Sequence, residues 1–131
     1  MANPNIVNVT TIYGNTTYFT PTGTTSVVLL ANPAASSKVF KINQIVAANV
    51  NGSAAVNATV SIYTNGGVAP GSAPAGGTAY PVVYQVSVPG NASLICVDKS
   101  TAIYLQEGTS ITVTSAIGSS LTFSISYEDI S

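Results

Sequence analysis

Chemistry in this chain can be sought around only seven charged positions: Lys38, Lys41, Asp98, Lys99, Glu107, Glu128 and Asp129. Three of them fall within VDKSTAIYLQEG, Val97 to Gly108. Asp98 and Glu107 are of the type that serves as an acid–base pair in glycoside hydrolysis. That chemistry needs a cleft holding two carboxyls at a defined separation, and nothing else in the sequence marks one. A plainer role fits the spacing. Asp98-Lys99 follows the apolar run SLICV and precedes AIYL, where an Asp caps a turn through its own side chain and Lys99 pairs with it at the surface. Glu107-Gly108 separates AIYL from SITVTS, where Gly108 adopts a positive φ angle at no steric cost. The stretch therefore reads as turn chemistry between strands. Glu128 and Asp129 are neighbours on the last strand, so their side chains point to opposite faces and do not share a proton.

Other mechanisms lack their reagents. There is no His, no Arg and no Trp, and Cys96 is the sole cysteine. Transition metals are left without ligands, and no loop has the Asp/Asn spacing of a calcium site. Ser37 beside Lys38 is a neighbour pair, not a nucleophile with its base. No glycine-rich phosphate motif precedes a helix. Nucleic-acid backbones are held through several Lys and Arg contacts, and the three lysines of this chain do not supply them. The expectation is a non-enzyme with no cofactor, no metal and no direct nucleic-acid partner. Cys96 lies in LICV, which predicts a buried, inert thiol. N-x-S/T sequons occur at Asn8, Asn15, Asn51, Asn57 and Asn91; in a chain so rich in Ser and Thr they carry little weight.

The elements that hold these residues show mainly as alternation of period two. SLTFSISYEDIS places Leu121, Phe123, Ile125 and Tyr127 on one face and Thr122, Ser124 and Ser126 on the other. AVNATVSIYTN sets Val56, Ala58, Val60 and Ile62 against Asn57, Thr59 and Ser61, and SITVTSA repeats the pattern with Ile111 and Val113. Each is a half-buried strand. KVFKINQIVAANV is apolar on both faces, as a central strand is, and the β-branched runs TSVVLLA and SLICV read as strands. NGS at Asn51–Ser53 predicts a tight hairpin joining the two longest strands. PGNA at Pro89–Ala92 and IGSS at Ile117–Ser120 predict further turns. The fold class expected is all-β: a single antiparallel β-sandwich of about eight strands, jelly-roll-like. Residues 1–24 form an N-terminal arm or edge strand, and 25–131 the sandwich domain. A long flexible loop at 65–79, nearly all Gly, Ala, Pro and Ser, interrupts that domain, and loops of this length are often functional.

Composition points to surfaces. Of the 131 residues 46% are hydrophobic, yet only 5% are charged and the net charge is −1. An average soluble domain is about a quarter charged, and a net charge of roughly 2 to 8 in magnitude normally keeps copies apart. A surface of hydroxyls and amides repels its copies weakly, which suits a molecule that packs against others. MANPNIVNV has neither the basic segment nor the apolar run of a secretory signal. No stretch approaches the roughly 20 apolar residues of a membrane-spanning helix. Cytoplasmic synthesis and no membrane partner are expected.

The run from Val86 to Ser131 resembles a family of small structural proteins of tailed bacteriophages, especially phages of cyanobacteria and marine bacteria. The resemblance rests on the order of Val88-Pro89, Asp98-Lys99, Ile103-Tyr104-Leu105, Glu107-Gly108 and Ser126 to Ile130, with support from KINQIVAANVNGS and VSIYTN. It covers about the C-terminal third, and the chain departs from many members in being less acidic. The resemblance implies a virion structural protein on the capsid surface. Such a protein acts as a capsid decoration (cement) protein, a homo-oligomer with a trimer favoured, and its partner is the major capsid protein. The expected partner contacts are Tyr13, Tyr18 and Phe19 of the arm. The loop residues Val68, Pro70 and Pro74 form a second contact or an outward-facing tip. The competing readings are a tail-tip, collar or fibre subunit, or a carbohydrate-binding module for host surface glycans built on the seven tyrosines.

Overall fold

A computed structural model describes residues 4–131. Nine strands follow one another: β1 (Ile12–Phe19), β2 (Val27–Asn32), β3 (Val39–Asn49), β4 (Val56–Tyr63), β5 (Ala79–Val88), β6 (Ser93–Val97), β7 (Ile103–Leu105), β8 (Thr109–Ser115) and β9 (Leu121–Ile130). One sheet has the order β1-β9-β3-β6, with β7 also on β3, and the other has the order β2-β8-β4-β5. Every pairing is antiparallel. The partners nest: β4 with β5, β3 with β6 and β7, β2 with β8, β1 with β9. A long hairpin wound into two sheets in this way is a jelly roll, so the all-β sandwich read from the sequence is the fold. Nine strands stand where about eight are predicted because β6 and β7 are two halves of one sheet edge, parted by a 3-10 turn at Lys99–Thr101.

Alternation does what the pattern requires. In β9 the residues Leu121, Phe123 and Ile125 are fully buried while Thr122, Ser124 and Ser126 are half-buried on the other face. They meet Ile42, Ile45, Ala47, Val56, Val60, Ile111 and Val113 in one core between the sheets. β3 lies between β9 and the β6/β7 edge, the central position read from its sequence, and its outward residues Lys41, Val46 and Ala48 are half-buried.

Asn51–Ser53 does not close a β-hairpin. β3 already has partners on both sides, so the chain leaves it for the opposite sheet, and β4 pairs with β5 and β8. None of the three residues takes a positive φ. The connection is built instead on asparagine side chains: Asn51 Oδ1 accepts from Ser53 N at 3.0 Å, and Asn49 Oδ1 from Asn51 N at 2.8 Å. The PGNA and IGSS turns also pass between sheets, with Asn91 and Ser119 at positive φ.

Two buried asparagines fasten the ends of the sandwich. Asn32, at the end of β2, donates to Lys38 O at 2.9 Å and to Leu105 O of the opposite sheet at 3.0 Å, and accepts from Ser36 Oγ. Asn49, at the far end of β3, donates to Ala54 O at 2.9 Å and Val88 O at 2.8 Å. A buried amide is tolerated only when its partners are in place; these two join the sheets where the core runs out.

Candidate interaction surfaces

The carboxylates of the opening stretch hold backbone. Asp98 is the N-cap of the 3-10 turn: its Oδ1 accepts from Ser100 N at 2.9 Å, Ser100 Oγ at 2.6 Å and Thr101 N at 3.2 Å, and Thr101 Oγ1 receives Asp98 N in return. This reciprocal box satisfies donors that would otherwise be orphaned. The Ser100 hydroxyl, then its N–H, holds the Asp98 carboxyl below its ordinary 3.8. Lys99 is not its ion-pair partner; the ion pair among the described residues joins Lys38 to Asp129 at 3.1 Å. The reason is local, since the capping geometry turns the Asp98 oxygens towards its own following turn. Glu107 Oε2 accepts from Ser37 N at 3.2 Å, beside Gly108 at φ +76°. Glu128 accepts from Asn43 Nδ2 at 2.9 Å. Each carboxylate thus fixes a bend, a bulge or a neighbouring strand. No group of three or more His, Cys, Asp or Glu residues able to hold a metal occurs among the described residues.

Two other titratable groups are shifted. Burial pushes the Cys96 thiol up to about 11 against a smaller opposing contact from Ala47, so thiolate is scarce; the side chain is half-buried, not fully enclosed. Tyr127 packs on Phe40 with ring centroids 5.1 Å apart. Its hydroxyl is raised by desolvation and by the Asp129 charge, with Lys38 acting the other way.

What is left over is surface. Tyr13 and Tyr18 of β1 are exposed, but Phe19 is packed against the core. Residues 12–19 form an edge strand registered on β9 from Ile12↔Ile130 to Phe19↔Phe123, so this part of the arm is folded onto its own sheet. Tyr13 and Tyr18, five apart on a strand, lie on opposite faces. Tyr18 therefore stands apart from the other two, and Tyr13 shares the face of Phe19 from the opposite end of the strand. On the outer face of the first sheet, Tyr18 begins a row that runs through Ser124 and Val46 to Ile95 across four strands, and Tyr104 lies in the row of Lys41 and Glu128. Tyr18, Ile95 and Tyr104 are all more than half exposed.

The 65–79 segment is exposed over most of its length, with Pro70 exposed and Val68 and Pro74 half-buried. It is tied down at several points. Asn65 O accepts from Ser110 Oγ at 2.9 Å, Val28 exchanges backbone bonds with Gly71 and Ser72 at 2.8 and 2.9 Å, and Gly77 N donates to Tyr63 Oη at 2.9 Å. Gly66 is seated so closely that a Cβ there would lie 2.1 Å from Asn32 O. The segment lies over one half of the outer face of the second sheet, where the outward-facing Val28, Ser61, Tyr63, Ser110 and Thr112 are buried. A Cβ at Gly71 would lie 3.8 Å from the Phe19 ring, so this loop and the arm run close to each other there.

One run of exposed apolar residues was not singled out in the sequence. β5, AYPVVYQVSV, is an edge strand with only Val88 buried, and Tyr80, Val82, Tyr84 and Val86 are 40–64% exposed. Its register against β4 shifts twice, and Gln85 stands at φ +48°. A nearly continuous apolar run interrupted by Pro is the signature of an edge strand, since Pro81 has no N–H for a central ladder. Comparison with protein-family models, curated proteins and solved structures returns no match for this chain.

Proposed function

We propose that this chain is a non-enzymatic structural subunit of a tailed-phage virion, a capsid decoration (cement) protein that stabilises the shell by contact with the major capsid protein. The observation that carries the reading is the distribution of chemistry over the fold. The four carboxylates hold bends and strands together, while uncharged tyrosine, valine and isoleucine side chains stand open on β5 and on the outer face of the first sheet. Patches on different faces of one rigid sandwich engage several neighbours at once, and each contact raises the effective concentration for the next. Stable contacts of this kind cover roughly 1,000 Å² or more, within reach of a ten-residue edge strand and its flanks. A trimer places like surfaces around a symmetry axis of the shell.

Sedimentation of purified protein alone and with expanded capsids tests the reading. The expected result is an oligomer that binds shells in fixed stoichiometry and raises their resistance to rupture. A stable monomer with no affinity for shells overturns it. Electron microscopy of labelled particles separates this assignment from a tail-tip, collar or fibre position.

A further inference from the structure

The covering segment leaves half of the second sheet's outer face open, and that half is concave. Its cavity, about 310 Å³, is lined by Thr24, Asn57, Thr59, Gln85, Thr114 and Ala116. Asn57 and Thr59 project from β4, Thr114 from β8, and Gln85 from the bulged part of β5. Ligand pockets usually range over roughly 300–1,000 Å³, so the space takes a small molecule or the end of a chain.

We propose that this groove binds an uncharged saccharide. The lining offers hydroxyls, amides and a methyl group, and none of the chain's charged residues is part of it. An anion needs Lys, Arg or a nest of N–H groups, a hard cation needs carboxylates, and an apolar ligand needs a mostly apolar wall. A neutral polyol matches hydroxyls and amides, because each of its OH groups both donates and accepts. The amides are available for this. Among the described residues the side chains of Asn57 and Gln85 have no hydrogen-bond partner, and each presents two donors and an acceptor suited to adjacent hydroxyls. The wall is also set in a costly geometry. Gln85 is held at φ +48°, its N–H donated to Thr59 Oγ1 at 3.0 Å. A non-glycine residue in the left-handed region costs on the order of 1 kcal/mol or more and persists where the surroundings enforce it. Thr59 accepts that bond and keeps its own proton to donate into the groove. Thr114 Oγ1 is oriented by Ser26 Oγ at 2.6 Å.

The test is a titration of the isotope-labelled full chain, followed by NMR, with a panel of neutral mono- and oligosaccharides (glucose, galactose, mannose and N-acetylglucosamine series) and with sialylated and sulfated sugars as the charged arm. The expected result is millimolar or tighter binding of a neutral sugar, with shifts clustered at Thr24, Asn57, Thr59, Gln85 and Thr114. Asn57→Ala and Gln85→Ala are expected to weaken it roughly fivefold or more each, and Tyr80→Ser is expected to leave it unchanged. Both variants alter exposed side chains, so folding is retained and checked in the same spectra. No shifts with any neutral sugar, shifts elsewhere on the surface, preference for the charged arm, or equal affinity in both variants overturns the proposal. Shell binding by Gln85→Ala is measured in parallel, so that failure here is distinct from failure of the virion assignment.

Discussion

β5 and β9 are both ten residues long, and β5 is the more apolar, yet they end in opposite environments. LTFSISYEDI lies between β1 and β3 with no residue fully exposed; AYPVVYQVSV lies on an edge with one residue buried. Apolarity alone therefore does not decide burial. Neighbours on both sides do, together with unbroken pairing along the strand itself: β9 is paired at every position, and the one shift in its ladder with β3 falls at Asn43 of β3. β5 has one neighbour and two register shifts, which tilt its side chains out of a common plane. The difference teaches which apolar residues the fold uses and which it leaves exposed. The apolar residues of β9 hold the sheets together, whereas those of β5 remain available to another surface.

The comparison breaks most directly at Phe123. Phe123→Ala leaves a void at a fully buried position between the sheets, and a loss of about 3–5 kcal/mol is expected in urea unfolding. Next is Asn49→Ala, which strips the donor from Val88 O at the single buried point of β5. The buried Val88 carbonyl and the half-buried Ala54 carbonyl lose their partner, and about 2–3 kcal/mol should go with them. If that variant were as stable as the parent, β5 would not be anchored through this amide, and its exposed length would need another explanation.

Much of this was legible in advance because strand alternation is a local property. Leu121, Phe123 and Ile125, or Val56, Ala58 and Val60, declare their face from the sequence alone. The same is true of Asp98 and Gly108, whose turn roles depend on residues within three positions. The pairing across Asn51–Ser53 is not local. A short Asn-Gly turn suits a hairpin, but whether β3 has a free edge depends on β9, seventy residues downstream, and on the β6/β7 edge. The groove was hidden for the same reason: Asn57, Gln85 and Thr114 come from three strands that are neighbours only in the folded second sheet, with Thr24 brought in from the segment before β2. β5 was overlooked because its apolar run lacks the alternation that marked the other strands, though Pro81 within it already pointed to an edge.

A smaller effect separates the break between β6 and β7 from the core. Because hydrogen bonds depress the Asp98 pKa in the folded state, its contribution is complete above the ordinary 3.8 and is lost as pH falls through the lower folded value. Asp98→Asn should flatten the acid limb of the thermal midpoint while leaving the neutral value only modestly reduced. An unchanged acid limb would mean that the cap is not formed in solution.

The smallest change in stability, and the most informative for function, is expected on β5. Val82→Thr with Tyr84→Ser removes two exposed apolar side chains and leaves the core as it is. Exposed substitutions away from caps and networks usually stay within about 0.5 kcal/mol, so the urea midpoint of the isolated chain should hardly move. Self-association and shell binding should weaken together, because the surface removed is the one left open by the edge position. If the double variant instead loses stability on the scale of Phe123→Ala, β5 belongs to the core in solution and the contrast with β9 is false. If stability and association are both unchanged, the contact surface lies elsewhere, and the row from Tyr18 to Ile95 is the next to substitute.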